Sequence, residues 1–114
     1  MERATPKRGV SQRSLQQAVQ TLRVAAHPVR IRLLERLERS TRPLSVNDLA
    51  RQLRQPQYAV SQHLTRLHLN GLLHRRQRGR EVFYRIADGR VIELLRWVRR
   101  YQHDDSWVRD GEAI

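Results

Sequence analysis

The 114-residue chain has no cysteine. That excludes disulfides, thiolate metal sites, thiol nucleophiles and thiol redox sensing. Lysine is almost absent as well: of 23 Lys and Arg residues, Lys7 is the one lysine. Aromatics are scarce, with one Phe, two Trp and three Tyr. No apolar run approaches the ~20 residues a membrane span requires, and no signal-peptide pattern opens the sequence. The expectation is a soluble, cytoplasmic protein without membrane contact. Acidic residues are also few, 11 against those 23 basic ones, which leaves a net charge of +12. An excess of that size on so short a chain points to a polyanionic partner, most often nucleic acid. Arginine's planar fork suits phosphate and guanine edges. A GC-rich genome produces the same Arg-for-Lys bias, so the net charge carries the argument.

What is present fits one domain with a core, given 39% hydrophobic and 30% charged residues. Residues 1–10 are polar and basic, with Pro6 and Gly9, and read as a flexible arm. Residues 104–114 read as an acidic tail. The domain is expected over 11–103. A first helix runs from Ser11 to Ala26, with Leu15, Val19, Leu22 and Ala26 at helical spacing. Pro28 breaks it and opens a second helix striped by Val29, Leu33, Leu34 and Leu37. Ser45 and Asp48 form a capping-box pattern for a short third helix, ended by Arg54-Gln55-Pro56. A fourth helix from Gln57 carries Val60, Leu64 and Leu67 on one face and stops at Asn70-Gly71. Two helices joined by a three-residue turn make a helix-turn-helix.

The period then changes. Leu72 to Arg76 is extended, Gln77-Arg78-Gly79-Arg80 is a turn, and Val82 to Ile86 is rich in strand formers. Asp88 caps a last helix to about Gln102. Val91, Ile92, Leu94, Leu95, Trp97, Val98 and Tyr101 cover well over half of its circumference, so it has both the core and a second subunit to bury against. The fold class is mainly α with a β-hairpin wing: a winged helix-turn-helix ordered α1-α2-short β-α3-α4-β-hairpin-α5.

In such a fold the second helix of the pair enters the major groove. With Val60 facing inward, Tyr58, Gln62 and Thr65 point away from the core. Gln57 and Ser61 lie on one flank, His63 and Arg66 on the other. Gln bridges adenine N6 and N7, Ser serves base or phosphate, and Tyr or Thr touches a thymine methyl. Arg78 and Arg80 flank Gly79 at the hairpin tip, where they suit a phosphate or a narrow minor groove. Arg54, Arg75 and Arg76 are candidates for flanking phosphates, contacts that carry no sequence information.

Four segments resemble the ArsR/SmtB-type transcriptional regulators: Ala25-Ala26-His27-Pro28-Val29-Arg30 with Ile31-Arg32-Leu33-Leu34; Leu44 to Ala50; Val60-Ser61-Gln62-His63-Leu64 with Leu67, Gly71 and Leu72; and Arg78-Gly79-Arg80 with Val82-Phe83-Tyr84. The match runs from about Leu22 to Tyr101, and the order and spacing of all four make it specific. The resemblance implies a homodimer built from the first and last helices. Leu15, Val19, Leu22, Leu94, Leu95, Val98 and Tyr101 are its expected interface. It also implies an imperfect palindromic operator in double-stranded DNA, and repression that an effector lifts. The chain departs from the family at its sensing sites. The Cys-x-Cys element of many members is missing from Val46–Leu53, and a cysteine pair for persulfides is impossible. At the zinc positions of the last helix Asp88 matches, but Arg90, Tyr101 and Asp104 stand where the other ligands belong. No metal and no cofactor are expected, and any effector is an unidentified small molecule. His103 beside Asp104 and Asp105 reads as a solvated helix end, its part in any metal site left open.

Two other classes compete. A basic architectural or RNA-binding protein without sequence specificity calls for aromatics interleaved with basic residues, and most of the few here fall at core positions. An enzyme needs a nucleophile, phosphate loop or metal motif, and Ser61-x-His63 on one helix is no triad.

Overall fold

The computed structural model describes residues 9–103. The expected acidic tail lies outside them, as does the expected basic arm apart from Gly9 and Val10. Five helices and a small sheet follow the order α1 (Gln12–Ala25), α2 (Pro28–Arg39), β1 (Leu44–Ser45), α3 (Val46–Leu53), α4 (Gln57–Leu69), β2 (Leu73–Arg78), β3 (Glu81–Ile86) and α5 (Arg90–His103). This is a winged helix-turn-helix, mainly α with a β-hairpin wing.

Capping chemistry sets most of the boundaries. Ser11 accepts the Ser14 N–H at 3.1 Å and starts α1. His27, forced into extended backbone by Pro28, ends α1 and caps α2: its Nδ1 accepts the Val29 N–H at 3.2 Å. The capping box of α3 is complete. Asp48 N–H donates to Ser45 Oγ at 3.0 Å, and Ser45 N–H returns a bond to Asp48 Oδ2 at 3.2 Å. That backbone bond, helped by Arg51 and Arg42, holds the Asp48 carboxyl below its usual range although partial burial opposes it. Arg54, in the left-handed region at φ 56°, turns the chain between α3 and α4. Gly71, at φ 82°, turns it out of α4, a backbone that a β-carbon would strain.

The sheet is antiparallel in the order β1-β3-β2. Leu44 pairs with Tyr84, and the hairpin runs from Leu73↔Ile86 to Arg78↔Glu81. The strands therefore pair up to the tip, leaving a two-residue turn at Gly79-Arg80 where the sequence suggested four residues. Leu33 and Leu34 of α2, Leu49 of α3, Val60, Leu64 and Leu67 of α4, and Leu95 of α5 are all fully buried in one core, with Tyr84 of β3 beside them. The first helix behaves otherwise. Only Val24 and Ala25 of α1 are buried, while its stripe of Leu15, Val19, Leu22 and Ala26 faces solvent.

Ser45→Ala removes the side-chain acceptor of the capping box. It should cost about 1 kcal/mol of stability in urea unfolding, without a change of slope.

Candidate nucleic-acid interface

Because Val60, Leu64 and Leu67 go to the core, the opposite side of α4 is committed to solvent. Gln57, Tyr58, Gln62, Thr65 and Arg66 are exposed there, Tyr58 at 72%. Ser61 is half-buried beside a cleft of about 520 Å³ that also takes in Asn47, Tyr58, Arg80 and Glu81. The start of α4 and the tip of the wing thus border one concavity. Asn47 belongs to this side although the sequence did not single it out; the signal was the capping box, which makes it the second residue of α3. Pro56 gives α4 no side-chain cap. The first N–H groups of α4 are thereby left to favour an anion.

The wing is built from pairing and one glycine. Gly79 at φ 63° with Arg80 closes the two-residue turn, the geometry that continues the twist of paired strands. Arg78 and Arg80 are exposed at the tip, and Arg75 and Arg76 are exposed along β2. Arg54 is exposed at the turn before α4.

His63 is placed differently from its neighbours. It is half-buried against α2, where its Nδ1 accepts from Arg30 Nε at 3.1 Å, and its ring centroid lies 4.6 Å from that of His27. Burial, then His27 and Arg30, push its pKa below the ordinary histidine value. Of the other predicted residues, Gln57, Tyr58 and Ser61 of α4 and Arg80 of the wing border the one cleft, whereas His63 is held on α2.

A second surface is apolar. Leu22 is 54% and Trp97 50% exposed, and Leu15, Val19 and Tyr101 are exposed too. Trp97 and Tyr101 pack edge to face at 4.6 Å. Leu94 and Val98 are half-buried along a groove of about 460 Å³ between α1, α2 and α5. Leu95 requires a correction: it is fully buried within the protomer and offers no surface to a partner. Its place on this face is taken by Trp97. Arg99 donates to Glu38 at 2.6 Å and fixes α5 on α2.

A helix-turn-helix domain family matches residues 25–76. The chain is 40% identical over 81 residues to the transcriptional repressor SmtB of Mycobacterium tuberculosis, with 71% of this chain aligned. It spans 58% of the length of that repressor and of another curated mycobacterial regulator. Reduced HlyU from Vibrio cholerae is 30% identical at a TM-score of 0.69, covering 78% of this chain and 92% of that one. The chain belongs to the ArsR/SmtB family of winged helix-turn-helix transcriptional regulators. The homodimeric winged helix-turn-helix DNA-binding domain of Mb0332 from Mycobacterium bovis is similar at 25% identity and a TM-score of 0.68, covering 84% of this chain and 90% of that one.

Within this family the last-helix zinc set does not fit the residues present. Arg90, two residues after Asp88, donates through Nε to both carboxylate oxygens at 3.0 and 2.9 Å. Asp88 is held below its usual carboxylate range by those side-chain bonds first and by the Arg90 N–H second. A guanidinium thus occupies the carboxylate that a metal would need. Among the described residues no three His, Asp or Glu side chains group as a ligand set. The positions of Asp104 and Asp105 lie outside those residues, and only the backbone of His103 is described.

Space around Gly79 is open, so only its positive φ resists a side chain. Gly79→Ala should cost about 1 kcal/mol in thermal or urea unfolding.

Proposed function

We propose that this protein is a homodimeric, sequence-specific repressor of transcription that reads an imperfect palindromic operator in double-stranded DNA. The observation that carries the reading is the cleft that Gln57, Tyr58 and Ser61 at the start of α4 share with Arg80 of the wing, with Gln62, Thr65 and Arg66 also exposed on α4 and Arg78 exposed on the wing, on a chain of net charge +12. Helix α4 enters the major groove. Gln62 bridges an adenine, Tyr58 and Thr65 meet thymine methyls, and Gln57 and Ser61 reach base or phosphate. Arg78 and Arg80 sit on the minor groove or the backbone, and Arg54, Arg75 and Arg76 neutralise phosphates on either side.

Dimerisation supplies the second half-site. The apolar side of Leu15, Val19 and Leu22, with Trp97, Val98 and Tyr101, is what a two-fold partner covers, the groove between the helices included. The homodimeric relative supports this arrangement. Two copies of α4 then stand about one DNA turn, ~34 Å, apart. Repression follows the relative named a repressor. A thiolate-bound metal is not the effector, because the chain has no cysteine.

Fluorescence anisotropy with DNA from upstream of the protein's own gene, across a salt series, tests the proposal. One dimer should bind more than about a hundredfold tighter than to random duplex, within the usual specificity range of such proteins. Equal affinity for both duplexes would leave charge attraction alone and favour a basic architectural protein. Arg80→Ala should weaken binding to every sequence and lower the salt slope by about one phosphate. Gln62→Ala should instead cost roughly 1–3 kcal/mol and relax one operator position. A uniform loss for Gln62→Ala would reduce that side chain to a backbone contact.

A further inference from the structure

Arg30 of α2 makes two hydrogen bonds that link three helices. Its Nη1 donates to the Val24 carbonyl in the last turn of α1 at 2.8 Å, and its Nε donates to His63 Nδ1 on α4 at 3.1 Å. Both acceptors are neutral. His63 is in turn packed on His27, whose own Nδ1 is occupied as the cap of α2. Burial first, and the nearby Arg66 second, push the Arg30 pKa down, so this cation sits where its charge is not balanced by a carboxylate among the described residues. Its placement answers to the two acceptors rather than to an ion pair.

Resting on the proposed DNA-binding function, we propose that Arg30 is a positioning residue for operator recognition: it clamps the recognition helix α4, through neutral His63, to the end of the dimerising helix α1. A change in how α1 is held in the dimer then reaches α4 through one guanidinium. Lysine replaces it poorly, because its three donors sit on a single nitrogen and lack the separated Nε and Nη1 that reach a ring nitrogen and a carbonyl on different helices. The clamp needs His63 unprotonated, since an imidazolium has no acceptor left for Nε.

Among the described residues, the groups acting on His63 are basic: His27 at the N-cap of α2 and Arg30 within it, with Arg66 of α4 acting on Arg30. Burial first, then His27 and Arg30, hold the folded His63 pKa below its unfolded value, so the clamp is intact above the ordinary histidine pKa. It is lost as pH falls through the lowered one. Acidification thus has two opposed effects on DNA. Added charge strengthens attraction to any duplex, whereas loss of the clamp weakens the reading of the operator alone.

The experiment is anisotropy at fixed salt, with operator and random duplex, between about pH 7.5 and 5.5, the range in which histidine titrates. Arg30→Lys and His63→Phe, which keeps a ring but no acceptor, should lower operator affinity about tenfold and leave random-duplex affinity unchanged. His63→Asn, whose amide oxygen can stand near the Nδ1 position, should recover most of that loss. The wild-type operator-to-random ratio should fall on acidification, and the His63→Asn ratio should stay flat. An unchanged ratio in His63→Phe, or a His63→Asn profile that tracks the wild type, overturns the clamp. If His63→Phe fails to fold by circular dichroism, the His63→Asn profile decides by itself. Equal wild-type affinity for both duplexes sinks the repressor reading itself, a result distinct from failure of the clamp.

Discussion

A helix can give only one side to a core, and the structure depends on which side α4 gives. Val60, Leu64 and Leu67 are fully buried among leucines of α2 and α3, with Leu95 of α5 in the same core. Fully burying side chains of this size is worth roughly 1.5–3 kcal/mol each, more than any surface contact of α4 can offset. That preference fixes the rotation of α4, and with it the identity of every side chain turned outward. The wing inherits its position from the same core, since Tyr84 anchors β3 there and pairs with Leu44 ahead of α3. Helix α4 and the wing tip therefore meet at one cleft because both are tied to one set of buried residues.

Helices α1 and α5 differ from the rest for the same physical reason. The core is filled by α2, α3, α4, the inner residues of the sheet and one edge of α5, and α1 contributes only Val24 and Ala25 to it. Leu15, Val19 and Leu22, at regular helical spacing, are left exposed among the described residues. An apolar stripe of helical period, exposed among the described residues, fits the second subunit proposed above. Arg99, bonded to Glu38 across to α2, sets α5 firmly enough for such a surface to have a defined shape.

Much of this was legible in the residues. The capping box at Ser45 and Asp48, the break at Arg54-Gln55-Pro56, and Pro28 and Gly71 each act locally, so the elements they bound could be read without knowing the fold. Tertiary contacts could not. Leu95 and Leu94 are neighbours on a broadly apolar helix, and only the packing of α2 against α5 decides that Leu95 goes inside. His63 sits on the flank of α4, where a helical wheel leaves the side chain free to go either way. A partner 33 residues earlier in the chain, Arg30, draws it onto α2. Gly79 marked the turn, but its length depended on how far the strands paired. The cap from His27 was hidden because histidine is not among the residues that usually start helices.

In the proposed complex two copies of α4, related by a two-fold axis, read one DNA site. The most direct measurement is selection of bound duplexes from a random library by the wild-type protein, followed by sequencing. A two-fold dimer should enrich an inverted repeat whose half-site centres lie one helical turn, ~10 base pairs, apart. Recovery of no shared motif, or of a single half-site without its inverted mate, would contradict it.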